Sequence, residues 1–291
     1  MLVDMPDLGS IITAAVTPFD EDGRVDERAF AALLEHLAAN GSDSIVVAGT
    51  TGEASTLTDE EHIALIALAV KEAPDGMKVI AGTGSNDTRH AIELSQSATE
   101  AGADALLSVT PYYNRPNRRG ILAHYQAIAA STELPILLYN IPQRCGVDVP
   151  NDLLAELAQL PNVVGVKQAN NDNLAMVDGL QLYAGNDDVL ARTLDLGGSG
   201  GILVASHVVG KEMRRMVDEP EARDVIHADL TPVFEALSVA PAAITTKAAL
   251  TMMGVLPSAR VRLPYVEADD SERAAIKAML ESRELIGVAT S

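Results

Sequence analysis

The sequence predicts an α/β protein, a closed (β/α)8 barrel of the TIM-barrel type with a C-terminal helical extension. The chain has 291 residues, enough for one large barrel, and 47% of them are hydrophobic. Short apolar runs alternate with amphipathic stretches from residue 11 to about residue 210, which is typical of parallel strands joined by crossover helices. Beyond that point only helical patterns remain.

Eight apolar runs are the predicted strands, because each is short and bounded by turn-forming residues. They cover residues 11–16, 44–48, 78–82, 105–110, 135–140, 163–168, 180–184 and 201–205. Amphipathic stretches between them predict helices at 27–39, 59–72, 88–101, 120–131 and 151–160. Eight strands favour a closed barrel. The alternative, an open doubly wound sheet, usually carries a glycine-rich fingerprint after its first strand, where this chain has Thr17-Pro18-Phe19-Asp20.

The last part of the chain predicts helices at 211–217, 221–237, 242–253 and 271–281, separated by prolines. We therefore expect a barrel that holds the active site over residues 1–222, followed by a helical extension over residues 223–291. No low-complexity linker separates the two parts.

The composition excludes several classes of function. The chain has 41 acidic and 21 basic residues, a formal net charge of −20, so its own field repels nucleic acids and anionic membranes. No run approaches the roughly 18 apolar residues that a membrane span needs, and the N-terminus does not have the pattern of a secretory signal. The single cysteine, Cys145, is typical of a reducing compartment, so we expect a cytoplasmic protein.

Metal and hydrolase chemistry are not indicated by the sequence. The six histidines lack metal-binding spacing, and no Gly-x-Ser-x-Gly turn is present. Cys145 has no evident base partner for a nucleophile. We therefore expect neither a metal nor a cofactor.

Lys167, at the end of the sixth predicted strand, is the most informative residue for the chemistry of the predicted active site. Strand alternation places Val163, Gly165 and Lys167 on one face, and Val164 and Val166 on the other. Burial lowers the pKa of an ammonium and leaves a fraction as free amine, which condenses with a keto group to form a Schiff base. Taken alone, Lys167 is equally compatible with an ammonium that reaches solvent from the strand end.

Other strand ends carry further candidates, because the carboxyl ends of barrel strands converge on one mouth. The segment 49–53, Gly-Thr-Thr-Gly-Glu, offers hydroxyls and closely spaced N–H groups for a carboxylate, or is a polar turn before a helix. Tyr139 follows Leu137 at the strand period of two and could exchange protons with a carbon held at Lys167. Arg144 could bind a carboxylate, or be an ordinary surface charge.

The adjacent tyrosines Tyr112 and Tyr113 follow the fourth predicted strand, in a chain with six tyrosines. A tyrosine supplies a relay hydroxyl, but it equally often packs its ring at a subunit contact. The two rings therefore need not do the same job.

Together, these motifs resemble the dihydrodipicolinate synthase / N-acetylneuraminate lyase family of class I aldolases. The resemblance lies in the order and spacing of four segments, at residues 49–53, 111–116, 139–142 and 165–167. It implies a (β/α)8 barrel with a C-terminal helical extension, commonly assembled as a homotetramer of tight dimers.

The resemblance also implies a role for each matching residue. Lys167 would form the Schiff base with pyruvate, and Tyr139 would donate and accept protons. Thr50 would extend the proton relay, which Tyr113 of the neighbouring subunit would complete. Three groups would bind substrate, namely Thr51 on the pyruvate carboxylate, the backbone carbonyl of Ile202 in the pocket, and Arg144 on a carboxylate at the entrance.

Within the family, Thr50 and Arg144 resemble the synthases. Those enzymes are carbon–oxygen lyases that condense pyruvate with L-aspartate 4-semialdehyde on the route to diaminopimelate and lysine. The alternative is an aldolase for a 2-keto-3-deoxy sugar acid or N-acetylneuraminate, because Gln168 stands where the synthases usually have glutamate. A non-catalytic relative is disfavoured, since it would have no reason to keep the whole set of site residues.

Feedback regulation is a separate question. In regulated members of the family, a glutamate binds the inhibitor lysine. This chain resembles them in spacing but has His90 at that position, and Asp59 replaces a histidine that some members have nearby. We therefore expect weak or absent inhibition by lysine.

Overall fold

A closed barrel of eight parallel strands, in sequence order, forms the centre of the structure, so the predicted fold class is confirmed. The structure is a computed structural model and describes residues 5–287. The strands are β1 Ile11–Ala14, β2 Ser44–Val47, β3 Lys78–Gly82, β4 Ala105–Val109, β5 Ile136–Asn140, β6 Val163–Gln168, β7 Gln181–Ala184 and β8 Gly200–Leu203.

Helices surround the barrel and continue beyond it. They are α1 Glu27–Ala39, α2 Asp59–Glu72, α3 Thr88–Glu100, α4 Arg118–Ala129, α5 Pro142–Cys145, α6 Asn151–Leu157, α7 Leu190–Asp195, α8 Ser206–Asp218, α9 Arg223–Leu237, α10 Ala242–Met252 and α11 Asp270–Ser282. The helix α2 begins at a capping box, in which Thr58 and Glu61 each accept a hydrogen bond from the other's backbone N–H.

The expectation of a crossover helix after every strand is wrong between β6 and β7. In the fully described stretch 169–180, the only helical element is a single 3₁₀ turn at Asn171–Asn173. Short polar side chains cause this turn, since Asn170 accepts a hydrogen bond from the backbone N–H of Asp172 and so competes with a helix.

The barrel interior is filled by one apolar side chain or more from every strand. It includes Ile12, Val46, Ile80, Leu107, Leu137, Val164, Tyr183 and Ile202. A second, larger apolar cluster lies between the strands and the helices. The interior is therefore a packed core, and any polar group at its upper end is shielded from water on the barrel side.

The predicted alternation along β6 is wrong at its start. Val164 belongs to the interior cluster, whereas Val163 and Val166 belong to the outer one. The reason is a register shift, because Ile136 pairs with Val163 but the next residue of β5 pairs with Gly165. A Cβ at Gly165 would lie 2.7 Å from the Leu137 side chain and 2.9 Å from the backbone carbonyl oxygen of Gln181, so the close approach of the backbone favours glycine there.

The C-terminal helices α9, α10 and α11 pack on one another and on α8. The boundary that we expect between residues 222 and 223 falls where the 3₁₀ turn Pro220–Ala222 meets α9, and it stays a prediction. Among the described residues, no single helix has the length and hydropathy to cross a membrane. The segments Pro220–Leu237 and Ala242–Met252 reach that criterion only as a pair, across a bend of 106°.

Candidate active site

Lys167 and Tyr139 lie side by side at the carboxyl end of the barrel. They are paired residues of β6 and β5, and the Lys167 Nζ atom lies 4.5 Å from the centre of the Tyr139 ring. Both side chains are more than nine-tenths buried, with exposed fractions of 6% and 7%. The register shift in β6 sets this geometry. It allows the side chains of Val164 and Lys167, three residues apart, both to point into the barrel.

Burial changes the proton affinity of both groups. It lowers the pKa of Lys167 to about 8, helped by the positive charge of Arg144 and opposed by Asp187. It also raises the pKa of Tyr139 to about 12, which Arg144 partly offsets. About a tenth of the lysine is therefore a free amine at pH 7, while the tyrosine beside it keeps its proton.

The Asp187 carboxylate is a functional candidate that sequence reasoning missed. Its Oδ1 atom accepts hydrogen bonds from the backbone N–H groups of Val204 and Ala205, both at 3.0 Å. Burial raises the pKa of Asp187, while those N–H groups and Lys167 lower it. Asp187 follows the end of β7, so applying the strand-end rule to every strand would have found it.

An amide network fixes β5 to β6 immediately behind Lys167 and Tyr139. The Asn140 Nδ2 atom donates to Gln168 Oε1 at 3.0 Å and to Asp148 Oδ1 at 2.8 Å. Gln168 also accepts from the backbone N–H of Asn170 at 3.0 Å. Because Asn140 and Gln168 each follow a member of the pair, these bonds resist slippage of Tyr139 past Lys167.

Thr50 and Thr51 lie in the loop after β2, which we call the threonine loop and define as residues 48–53. Both line the cavity above Lys167; Thr50 is exposed there and Thr51 is buried. The loop closes on itself, since the backbone N–H of Glu53 donates to the carbonyl of Thr50 at 3.1 Å. Its hydroxyls and N–H groups are available to an anion.

Arg144 lies in the short helix α5 that follows β5, and its exposed side chain lines the same cavity. Asn140 closes the loop around it, accepting from the N–H of Val149 at 3.1 Å and donating to the same residue's carbonyl at 3.2 Å. The arginine is close enough to influence the pKa values of Lys167 and Tyr139. It supplies positive charge at the mouth of an acidic protein.

The remaining two predicted residues are not brought to the cavity surface of this single chain, within residues 5–287. Tyr113 is 89% exposed and has a left-handed φ of 70°, which is uncommon for a residue with a side chain. Ile202 is fully buried, with its side chain in the barrel interior. Their assigned roles, like those of the other site residues, stay predictions.

The cavity has a volume of about 1120 Å³ and lies between the barrel mouth and the C-terminal helices. Lys167 and Tyr139 form its floor, and residues of α9 and α10 form part of its wall. This volume slightly exceeds the range of roughly 300–1,000 Å³ that is usual for small-molecule sites. It can hold a keto acid on the amine together with a second small substrate.

Comparison with known proteins agrees with this geometry. The model of the dihydrodipicolinate synthetase family matches residues 7–283. The chain belongs to the dihydrodipicolinate synthetase family. A relative from Halalkalibacterium halodurans, 4-hydroxy-tetrahydrodipicolinate synthase 1, is 44% identical over 271 residues, which cover 89% of this chain and 92% of that protein. The 4-hydroxy-tetrahydrodipicolinate synthase of Bacillus subtilis is 40% identical over 285 residues, covering 94% and 98%.

Solved structures of the dihydrodipicolinate synthetase family superpose on almost the whole chain. The dihydrodipicolinate synthase DapA-2 of Bacillus anthracis matches with a TM-score of 0.91 and 38% identity, covering 96% of this chain and 99% of that one. A synthase of Cyanidioschyzon merolae with lysine bound matches with a TM-score of 0.92 and 38% identity, over the same shares of the two chains.

Proposed function

We propose that the chain is a Schiff-base lyase that condenses pyruvate with L-aspartate 4-semialdehyde to 4-hydroxy-tetrahydrodipicolinate, toward diaminopimelate and lysine. The observation that carries the proposal is the buried Lys167 amine, 4.5 Å from the Tyr139 ring at the mouth of the barrel. Relatives named for this activity, which are about as long as this chain, support it.

The proposed reaction needs only the groups of this site and its two substrates. The free amine of Lys167 attacks the keto carbon of pyruvate, and water leaves as the Schiff base forms. Tyr139 donates its proton through Thr50 to the departing hydroxyl, and the resulting phenolate then takes a proton from the methyl carbon, which leaves an enamine. The enamine carbon attacks the aldehyde, and the amino group of the second substrate displaces Lys167 as the ring closes.

The other predicted residues bind the substrates or complete the proton relay. Thr51 binds the pyruvate carboxylate beside the backbone carbonyl of Ile202, and Arg144 binds the carboxylate of the aldehyde substrate. Tyr113 completes the proton relay of a neighbouring subunit, in a homotetramer of tight dimers. Its 89% exposure and left-handed backbone in the single chain support this placement. The single buried cysteine supports a cytoplasmic enzyme.

Trapping the Schiff base tests the proposal directly. Borohydride reduction in the presence of pyruvate is expected to add one pyruvate-derived group to the peptide that carries Lys167, as read by mass spectrometry. Because the pKa of Lys167 is about 8, the initial trapping rate should increase with pH until that value is passed and then level off. An adduct on another lysine, or no adduct, would contradict the proposal.

A second assay separates the two substrate classes. The synthase consumes pyruvate only with an aldehyde that carries an amino group, whereas a sugar-acid aldolase cleaves a keto-deoxy acid in the reverse direction. We expect turnover with L-aspartate 4-semialdehyde and none with keto-deoxy sugar acids or N-acetylneuraminate. Efficient cleavage of such an acid would instead favour the alternative based on Gln168, an aldolase for a keto-deoxy sugar acid or N-acetylneuraminate.

Replacing Arg144 by glutamine is expected to raise the KM for L-aspartate 4-semialdehyde about 10- to 100-fold, because a charge-assisted bond to its carboxylate is lost. The KM for pyruvate should change little, since Thr51 binds that carboxylate. Steady-state kinetics with each substrate varied in turn measure both. The matched control is Arg119→Gln, on the exposed surface of α4. Equal kinetics for the parent and the Arg144 variant would contradict the role.

Lysine is expected to inhibit this enzyme weakly or not at all. His90 replaces the glutamate that regulated members use, and its Nε2 atom lies 3.1 Å from Asp59 Oδ1, so these two side chains are occupied with one another. Initial rates are measured over a lysine titration at fixed substrate concentrations. Strong inhibition at sub-millimolar lysine would show that the site works without the glutamate.

A further inference from the structure

A buried ion pair joins the C-terminal helices to the threonine loop. The ammonium of Lys247, on α10, contacts the carboxylate of Glu53, and both side chains are 0% exposed. Lys247 also donates to the backbone carbonyl of Arg260 at 2.8 Å and lies 4.1 Å from the centre of the Phe19 ring. The ammonium thus has protein partners on several sides.

The threonine loop needs such an anchor because its backbone is strained. Ala48 and Glu53, its first and last residues, have φ values of 53° and 55° in the left-handed region that favours glycine. Conformations of this kind persist only where the surroundings impose them. The two residues enclose Thr50 and Thr51, so release of either end would move the hydroxyls that face the cavity.

The second oxygen of Glu53 is also held from the C-terminal part of the chain. The backbone N–H of Arg262 donates to Glu53 Oε2 at 2.9 Å. The Arg262 guanidinium forms two bonds of 2.6 Å with Glu61, at the start of α2, and one of 2.9 Å to the carbonyl of Thr56. Residues 247–262 therefore fix both the loop and the helix that follows it.

Glu53 is not itself among the residues that line the cavity, within the described part of the chain. Burial lowers the pKa of Lys247 to about 8, although Glu53 opposes this shift. A buried ion pair is often no more stabilising than an apolar pair of the same volume. The value of this pair therefore lies in the conformation it imposes on the loop.

We propose that Lys247 is a positioning residue for pyruvate binding: through Glu53 it holds the threonine loop in the conformation that presents Thr50 and Thr51 to the substrate. The inference rests on the proposed function, in which Thr51 binds the pyruvate carboxylate. It assigns to the C-terminal extension a part in pyruvate binding, in addition to forming part of the cavity wall.

The test compares Lys247→Met, Glu53→Gln and the double variant with the parent. Thermal unfolding checks whether each variant folds. The double variant leaves no unpaired buried charge, and Glu53→Gln keeps the shape of the side chain if the others unfold. The matched control is Lys277→Met, which removes an exposed lysine paired with Glu281 on α11. Schiff-base trapping is measured as a function of pyruvate concentration, and steady-state KM is measured for both substrates.

For folded variants we expect the half-saturating pyruvate concentration to rise at least about tenfold, the effect of losing one charge-assisted hydrogen bond, while the KM for the aldehyde changes little. The Lys277 control should match the parent. A folded double or Glu53→Gln variant with the pyruvate dependence of the parent would overturn the inference, as would equal losses for both substrates. If the parent itself traps no pyruvate on Lys167, the proposed function fails, and that outcome is distinct from these.

Discussion

Replacing Lys167 by methionine is expected to lower kcat/KM for the condensation by at least about a thousandfold, the scale seen when a covalent nucleophile is removed. Methionine has a similar length and volume but no amine, so neither the Schiff base nor its reduced adduct can form. Steady-state rates and borohydride trapping followed by mass spectrometry measure both consequences. Turnover like that of the parent would show that Lys167 is not the reacting group.

The same variant should fold at least as well as the parent at neutral pH. The pKa of Lys167 in the folded chain, about 8, lies below the 10.5 of an exposed lysine. The penalty for burying the lysine is therefore complete below pH 8, where it is charged in both the folded and the unfolded chain. The penalty fades as the pH rises from 8 to about 10.5, because the lysine is then neutral in the folded chain and gradually becomes neutral in the unfolded chain. From that difference the penalty is roughly 3–4 kcal/mol, and the loss of positive charge near Asp187 offsets part of the gain. Thermal unfolding at pH 7 checks this expectation.

Replacing Tyr139 by phenylalanine is expected to lower kcat about 100- to 1000-fold, the usual contribution of a general acid–base group. The ring and its contact with Lys167 remain, so the Schiff base should still form, though more slowly. The expected signature is an enzyme that still traps pyruvate with borohydride but turns over poorly.

The matched control for this variant is Tyr125→Phe, on α4. Tyr125 is also buried, and its hydroxyl donates to the carbonyl of Ser108 at 3.2 Å, away from the cavity. Its loss should cost about 1 kcal/mol of unfolding free energy and leave kcat unchanged. If both variants lost activity equally, Tyr139 would have only a structural role.

Local sequence patterns predicted much of this architecture, because strand and helix bounds depend largely on side-chain periodicity and on capping residues close by in the sequence. The eight strands were readable from short apolar runs, and α1 and α2 have the bounds that their periodicity and caps predict. Lys167 and Tyr139 were placed on neighbouring strands by counting alternate residues, and the structure puts them in contact. The helix that was expected between β6 and β7 is absent from the described residues there, because short polar side chains favour turns.

The sequence could not show interactions between distant segments. The register shift in β6 depends on how β5 packs against it, and alternation within one strand cannot reveal it. The contact between Glu53 and Lys247 joins residues 194 positions apart. The Asp187 carboxylate was visible at a strand end, but its two N–H donors come from the loop after β8. Each of these features depends on contacts between segments that become neighbours only in the folded chain.

The register shift in β6 makes the site more sensitive to the length of the strand than to its composition. Val164 packs inside the barrel, and a Cβ at Gly165 would meet the interior side chain of Leu137, so these two residues together set the direction in which the Lys167 side chain points. Deleting one of them would rotate the amine of Lys167 toward the helical layer without changing any of the predicted site residues. Family members that differ here by an insertion or deletion are therefore expected to have lost the chemistry, even where every motif survives.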